Sequence, residues 1–248
     1  MEQNNINNTK TGGNKSKLWG LIPLAIIIFG GVWLWWSQAD TANTNSDKSQ
    51  AELLASMTDF KVVREDISDE KIDQYFLTFD KAKDIFLADP SAKTNFTILM
   101  TMANIKNALG DYEGTLEILL YNYNNFEKNS YVLNGNIAHI YNYFLPDYEQ
   151  AEFFYNEALK SESIASANEY TYYAELYDLY YYNLEDKEKS EEVIDRAIEA
   201  MPEEVSVYFL AGDHYKREGD KAKARQYFNK ILELDPSNEG AKQILNNL

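Results

Sequence analysis

The stretch Val205–Asn238, VSVYFLAGDHYKREGDKAKARQYFNKILELDPSN, constrains the fold more than any other part of the chain. Gly219-Asp220 supplies a turn between two helical periods, and Ala224, Phe228 and Ile231 make the inward stripe of the second at three- and four-residue steps. Pro236 ends that helix, because its ring removes the N–H a further turn would need. Pro202 lies 34 residues before Pro236, and Ile194 and Ala197 ahead of it repeat the same stripe. A chain that repeats a helix pair at this period grows its core by stacking and has no single centre.

Val205–Asn238 resembles a tetratricopeptide repeat, the 34-residue helix-turn-helix unit. Tyr208, Ala211, Gly212 and Tyr215 fall where the family's first helix needs bulk, small, small, bulk. Walking that register backward gives a unit from Thr171, with Tyr177, Asp178 and Tyr181 in the first-helix slots; Asp178 departs from the small residue expected there. A unit from Val132 offers Gly135, Ala138 and Asn142, then Pro146-Asp147-Tyr148 at the turn, then Ala151, Tyr155 and Ala158. It starts 39 residues before Thr171, so an extra stretch at Ser161–Ala167 is expected to lengthen the intervening loop. A weaker unit opens at Phe96, with Leu99, Met102, Ala103, a Gly110-Asp111-Tyr112 turn and Leu119, but Lys106, Thr115 and Asn122 fit the family poorly.

Residues 51–94 read as a divergent helical unit, with a brief lead helix at Leu53, Leu54 and Met57. A longer apolar stripe follows, Ile72, Tyr75, Phe76, Phe79, Ala82 and Phe86, capped by Ser68-Asp69-Glu70 and followed by Pro90. At the other end Ala241, Ile244, Leu245 and Leu248 predict a short amphipathic helix covering the open end of the stack. The expected fold is an all-α, TPR-like solenoid over residues 95–248, preceded by one transmembrane helix.

That helix is expected at Leu18–Trp36, which carries no charge over 19 residues and would span about 28 Å as a helix, close to the hydrocarbon thickness of a bilayer. All four tryptophans lie here, Trp19 at one end and Trp33, Trp35 and Trp36 at the other, where amphipathic rings settle at the interface. A cleaved signal peptide is the alternative, since Ser37-Gln38-Ala39 is a tolerable small-x-small site, yet the apolar run exceeds the usual length. Residues 1–17, Asn-, Gly- and Lys-rich, read as a disordered tail, and 37–50 as a polar spacer. Lys10, Lys15 and Lys17 precede the run, while Lys48 after it is opposed by Asp40 and Asp47; the positive-inside rule then places the tail in the cytoplasm and the array outside it, anchored in the plasma (inner) membrane.

A formal net charge of −17 repels phosphate backbones, which excludes nucleic acid as a partner. The absence of cysteine removes disulfides, thiolate metal sites and cysteine nucleophiles. No phosphate loop, dinucleotide turn or nucleophile elbow is present, and His139 and His214 have no acidic neighbour at metal-ligand spacing, so no catalytic, cofactor or metal site is expected.

The resemblance implies that successive first helices line a concave groove for a protein or peptide partner. Carried over position by position, the groove comprises Asn136, Ile140 and Tyr143, then Tyr172, Glu175, Leu179 and Tyr182, then Phe209, Asp213, Lys216 and Arg217. Tyr172, Tyr182 and Phe209 are the expected exposed rings; the run Tyr180-Tyr181-Tyr182 cannot all face one way on a helix. Some repeats of the family clamp a C-terminal carboxylate with paired Lys and Asn, and Asn136, Ile140, Glu175 and Leu179 do not supply that set. The reading that follows is a membrane-anchored scaffold or adapter in an extracytoplasmic envelope assembly. Beside it stands a secreted, self-associating structural repeat protein, and behind both an enzyme with an unrecognised site.

Overall fold

Four helix hairpins follow one another from residue 95 onward, each turning on an aspartate. The computed structural model describes residues 50–248; the tail at 1–17, the apolar segment at 18–36, its orientation, and the spacer up to residue 49 lie outside the described residues. Among the described residues there is no strand, and no helix is long and apolar enough to cross a membrane.

The hairpins pair α3 (Asn95–Ala108) with α4 (Tyr112–Asn125), and α5 (Tyr131–Tyr143) with α6 (Tyr148–Leu159). Next, α7 (Ser166–Asp178), continued by a π-helical turn at Leu179–Asn183, pairs with α8 (Lys187–Ala200), and α9 (Val205–Arg217) pairs with α10 (Lys221–Leu234). Two helices precede them, α1 (Gln50–Thr58) and α2 (Asp69–Ala88), and α11 (Glu239–Asn247) follows.

The turn chemistry is the same four times. The carboxylates of Asp111, Asp147, Asp186 and Asp220 accept the backbone N–H three residues on, at 2.9–3.2 Å, which caps each second helix. The N–H groups of the same aspartates donate backward, to the carbonyls of Lys106, Tyr141, Tyr180 and Tyr215, and so close each first helix. The sharp reversal needs a left-handed residue before three of the four aspartates. Gly110 and Gly219 both have φ +81°, and Glu185 has φ +53°.

Second helices bury the stripes read from the sequence: Ala224, Phe228 and Ile231 in α10, Ala151, Tyr155 and Ala158 in α6, Ile194 and Ala197 in α8 are all fully buried. Large residues meet small ones across helices. A Cβ on Gly212 would stand 2.8 Å from the Phe228 ring, and one on Gly135 would stand 2.2 Å from the Tyr172 ring, so neither position accepts a side chain without displacing an aromatic.

Three residues that fit the repeat pattern poorly are all buried and all paired. Lys106 reaches Asp111 at 2.6 Å, the Thr115 hydroxyl donates to the Asp111 carbonyl at 2.8 Å, and Asn122 Nδ2 donates to the Phe96 carbonyl at 3.1 Å. The first hairpin thus replaces apolar contact with hydrogen bonds inside the core. Residues 59–65 strap this hairpin, with Val63 and Arg64 donating N–H to the Leu109 carbonyl at 2.9 and 3.0 Å. In α2 the Ser68 cap forms, and Phe79, Ala82 and Phe86 are buried. Phe76 is 46 % exposed instead of sharing their stripe, because it sits a residue's 100° turn away from Tyr75.

The third hairpin differs most from its reading. Its first helix starts at Ser166, not Thr171, and adds a 5-residue π-helical turn to 13 residues of α-helix, against 13 alone in α5 and α9. The extra length therefore enters the helix as well as the loop, and Ser166 and Ala167 belong to α7. Gly135→Ala is expected to cost about 1–3 kcal/mol through overpacking against Tyr172, seen as a lower denaturation midpoint. Gly240→Ala, where a Cβ would meet nothing nearer than 3.4 Å, is the control that should leave the midpoint in place.

Candidate functional site

First helices α5, α7 and α9 lie side by side and form one wall of the array, joined by side chains that cross between them. From α5 to α7, His139 Nδ1 donates to Glu175 Oε1 at 2.9 Å, Tyr143 OH donates to Asp178 Oδ2 at 3.2 Å, and Asn142 Nδ2 approaches the Glu175 carbonyl at 3.3 Å. Asn183 in the π-helical turn donates back to Asn142 Oδ1 at 2.8 Å. The second oxygen of Glu175 accepts from the buried Tyr155 phenol at 2.8 Å. From α7 to α9, the Tyr177 phenol and His214 Nδ1 share a hydrogen bond at 3.1 Å, and Tyr181 OH donates to Glu218 Oε1 at 2.7 Å. Lys187 supports Glu218 from the other side at 2.6 Å.

These contacts set the electrostatics. Burial lifts the Asp178 carboxyl above the ordinary carboxylate range; the Tyr143 hydrogen bond opposes that, and the charge of Glu175 adds to it. His214 is fully buried, and burial lowers its imidazole below the ordinary value, with Glu191 pulling the other way. His214 Nε2 lies 3.6 Å from Glu191 Oε1, beyond a good hydrogen bond. The same Glu191 accepts from Tyr215 at 2.9 Å.

The eleven residues assigned to the wall divide into two groups. Tyr143 and Tyr182 project from it, 41 % and 53 % exposed, with Lys216 and Arg217 exposed beside them and Asn136, Glu175 and Asp213 partly buried. The Arg217 guanidinium stands 5.8 Å from the centre of the Tyr182 ring. Ile140, Leu179 and Tyr172 are buried, which corrects their assignment to an open surface. Tyr172 turns inward because Gly135 leaves room for its ring, and Leu179 because the π-helical turn rotates the register of the residues around it. Phe209 is half-buried, its ring against Phe228 at 6.0 Å and facing Gly240 of α11, so the capping helix covers part of it.

Sequence spacing missed the partners of both histidines, Glu175 and Glu191, since each lies on another helix and more than twenty residues away. Among the described residues no group of three or more His, Asp or Glu is placed to hold a metal ion. The arrangement offers rings, carboxylates and amides for recognition. Buried neutral His214 gives a pH prediction: its pKa is depressed in the fold, so the unfolded chain takes up the proton first and stability falls as pH drops below about 6.5. Urea midpoints of wild type and His214→Gln between pH 7.5 and 5.5 should show the smaller acid loss in the variant; equal losses would contradict it.

Residues 205–238 match a family model described as tetratricopeptide repeat, and residues 132–163 match a second model with the same description. No curated protein matches the chain. Two solved structures of MamA resemble it. One has a TM-score of 0.54 at 19 % identity and covers 72 % of this chain and 99 % of its own. The other has a TM-score of 0.53 at 18 % identity and covers 77 % and 96 %. At that identity the likeness establishes the fold, an all-helical repeat solenoid.

Proposed function

We propose that this chain, which carries tetratricopeptide repeats at 132–163 and 205–238, is a scaffold that holds a protein or peptide partner on its first-helix wall. One observation carries the reading. Tyr143 and Tyr182, at matching places near the ends of consecutive first helices, project into solvent while other rings of the same helices, Tyr141, Tyr172 and Tyr177, are buried. Amphipathic rings held on rigid helices bring large contact area at low entropic cost. Asp178 and Arg217 stand beside them, able to pair with charged side chains of a partner.

The tether belongs to the same proposal. Leu18–Trp36, uncharged and flanked by tryptophans, anchors the chain in a membrane, and the lysines ahead of it put the repeats on the extracytoplasmic side, where the partner belongs to an envelope assembly. The acidic excess keeps nucleic acid away from the wall.

Photo-crosslinking in intact cells tests the reading, with the reactive group at position 143 or 182 and, as control, at the exposed Glu192 of α8. Adducts with a second protein are expected from both wall positions and not from position 192. Tyr143→Ala together with Tyr182→Ala should leave far-ultraviolet helicity intact and weaken capture, each ring contributing about 1–2 kcal/mol as interface aromatics do. Adducts formed only with another copy of the chain would favour the self-associating reading, and equal yields from position 192 would remove the wall from consideration.

A further inference from the structure

A cleft of about 870 Å³ opens at the edge of the array where the loops 89–94, 126–130 and 160–165 come together. It lies apart from the wall: Tyr131 on its lining starts α5, and Tyr143 ends that helix, about 18 Å further on at 1.5 Å per residue. The half-buried rings of Phe96, Phe126 and Tyr131 form its apolar part. Its polar part comes from all three loops. Lys93 belongs to the first, Glu127 and Asn129 to the second, and each loop adds one serine, Ser91, Ser130 and Ser163.

Buried asparagines hold the first two loops in place. Asn95 Nδ2 donates to the Asp89 carbonyl at 2.8 Å, Asn134 Nδ2 to the Lys128 carbonyl at 3.0 Å, and Asn122 Nδ2 to the carbonyl of Phe96 itself at 3.1 Å. All three residues are at most 1 % exposed, and each is left with a carbonyl oxygen that has no hydrogen-bond partner. Among the described residues five buried side-chain atoms are in that condition, and these are three of them. Buried polar atoms are paired almost everywhere in folded proteins, so exceptions gathered about one cleft mark a place where shape is held at a cost in stability. Loops fixed in that way lose little further freedom when a ligand arrives.

We infer that this cleft binds a short, neutral oligosaccharide. Lys93 and Glu127 balance in charge, so the lining favours neither an anion nor a cation. A purely apolar ligand would strip water from the hydroxyls and the Asn129 amide and return no hydrogen bond. Three serine hydroxyls and that amide donate and accept at once, and sugar hydroxyls do the same. A peptide unit divides those roles between its N–H and its C=O, and so matches such a lining in fewer registers. The C–H faces of pyranose rings lie well against aromatic carbon, which Phe96, Phe126 and Tyr131 supply. The side chains of Lys93 and Asn129 make no ion pair or hydrogen bond among the described residues, which leaves them free for a ligand. The volume also falls within the range of about 300–1,000 Å³ found for ligand clefts.

The test uses the full chain in a detergent without a sugar head group, titrated by calorimetry with cellotetraose, chitotetraose and a capped Ser-Asn-Phe-Ser peptide. Saturable binding of at least one of the two sugars is expected, with magnetisation passing from the protein to the sugar C–H protons in saturation-transfer NMR. Lys93→Ala together with Asn129→Ala should weaken that binding at least about tenfold. The thermal midpoint should stay in place, since both side chains are exposed and unbonded within the fold. Sugar bound equally well by the variant would put it elsewhere on the protein, and binding of neither sugar would leave the cleft without its ligand. Binding of the peptide alone would make it a polypeptide site. Each of these three results overturns the inference, and none of them touches the wall, whose Tyr143 stands at the opposite end of α5.

Discussion

The turn aspartate is the interaction on which the array depends. A first helix ends with carbonyls that need donors, and a second begins with N–H groups that need acceptors. One residue meets both needs in each hairpin: Asp111, Asp147, Asp186 and Asp220 donate their N–H backward and offer a carboxylate forward. Because both helices are terminated by the same residue, the reversal is tight and the two apolar stripes are brought face to face. In the first hairpin Asp111 takes a third task, neutralising buried Lys106 at 2.6 Å. A buried ion pair offers little net stability, but losing either partner leaves an uncompensated charge, so the pair holds this atypical hairpin to one arrangement.

Stacking of the hairpins uses two devices that trade places along the chain. Where a glycine faces an aromatic of the next hairpin, as Gly135 faces Tyr172, shape alone sets the approach. Where Asp178 and His214 stand in first-helix positions, polar side chains cross the interface to Tyr143, Tyr177 and Glu191. The polar contacts have a directional requirement that packing lacks, and they lie along the wall assigned to the partner. Binding there would be felt by the joints between repeats, since nearest-neighbour interfaces carry the cooperativity of a solenoid.

Much of the fold was legible because its determinants are local. Gly219-Asp220, the Ala224, Phe228 and Ile231 stripe, and the Ser68 cap each lie within one or two helical turns of the residues they act on. The exposure of two rings was legible for the same reason: Tyr143 and Tyr182 project where the repeat offset puts them. Tyr172 was misread because its environment is made by Gly135, 37 residues earlier, and Leu179 because the π-helical turn has no signal in a 3.6-residue pattern. The histidine–glutamate contacts arise only when separate helices are brought together. Poor fit to the repeat pattern at Lys106, Thr115 and Asn122 marked a place where buried polar pairing replaces apolar packing, a distinction that residue type alone does not make.

The central claim is that hairpins stacked in this way leave the first-helix wall open to another polypeptide in the whole chain. The protein has no cysteine, so single thiols can be introduced and labelled without background. Tyr143→Cys and Tyr182→Cys in the full chain should react within about tenfold of an unfolded control, and Leu179→Cys at least about a hundredfold more slowly, as expected for a residue exposed only on opening. Slow labelling at both 143 and 182 would mean that the wall is covered, and would contradict the account.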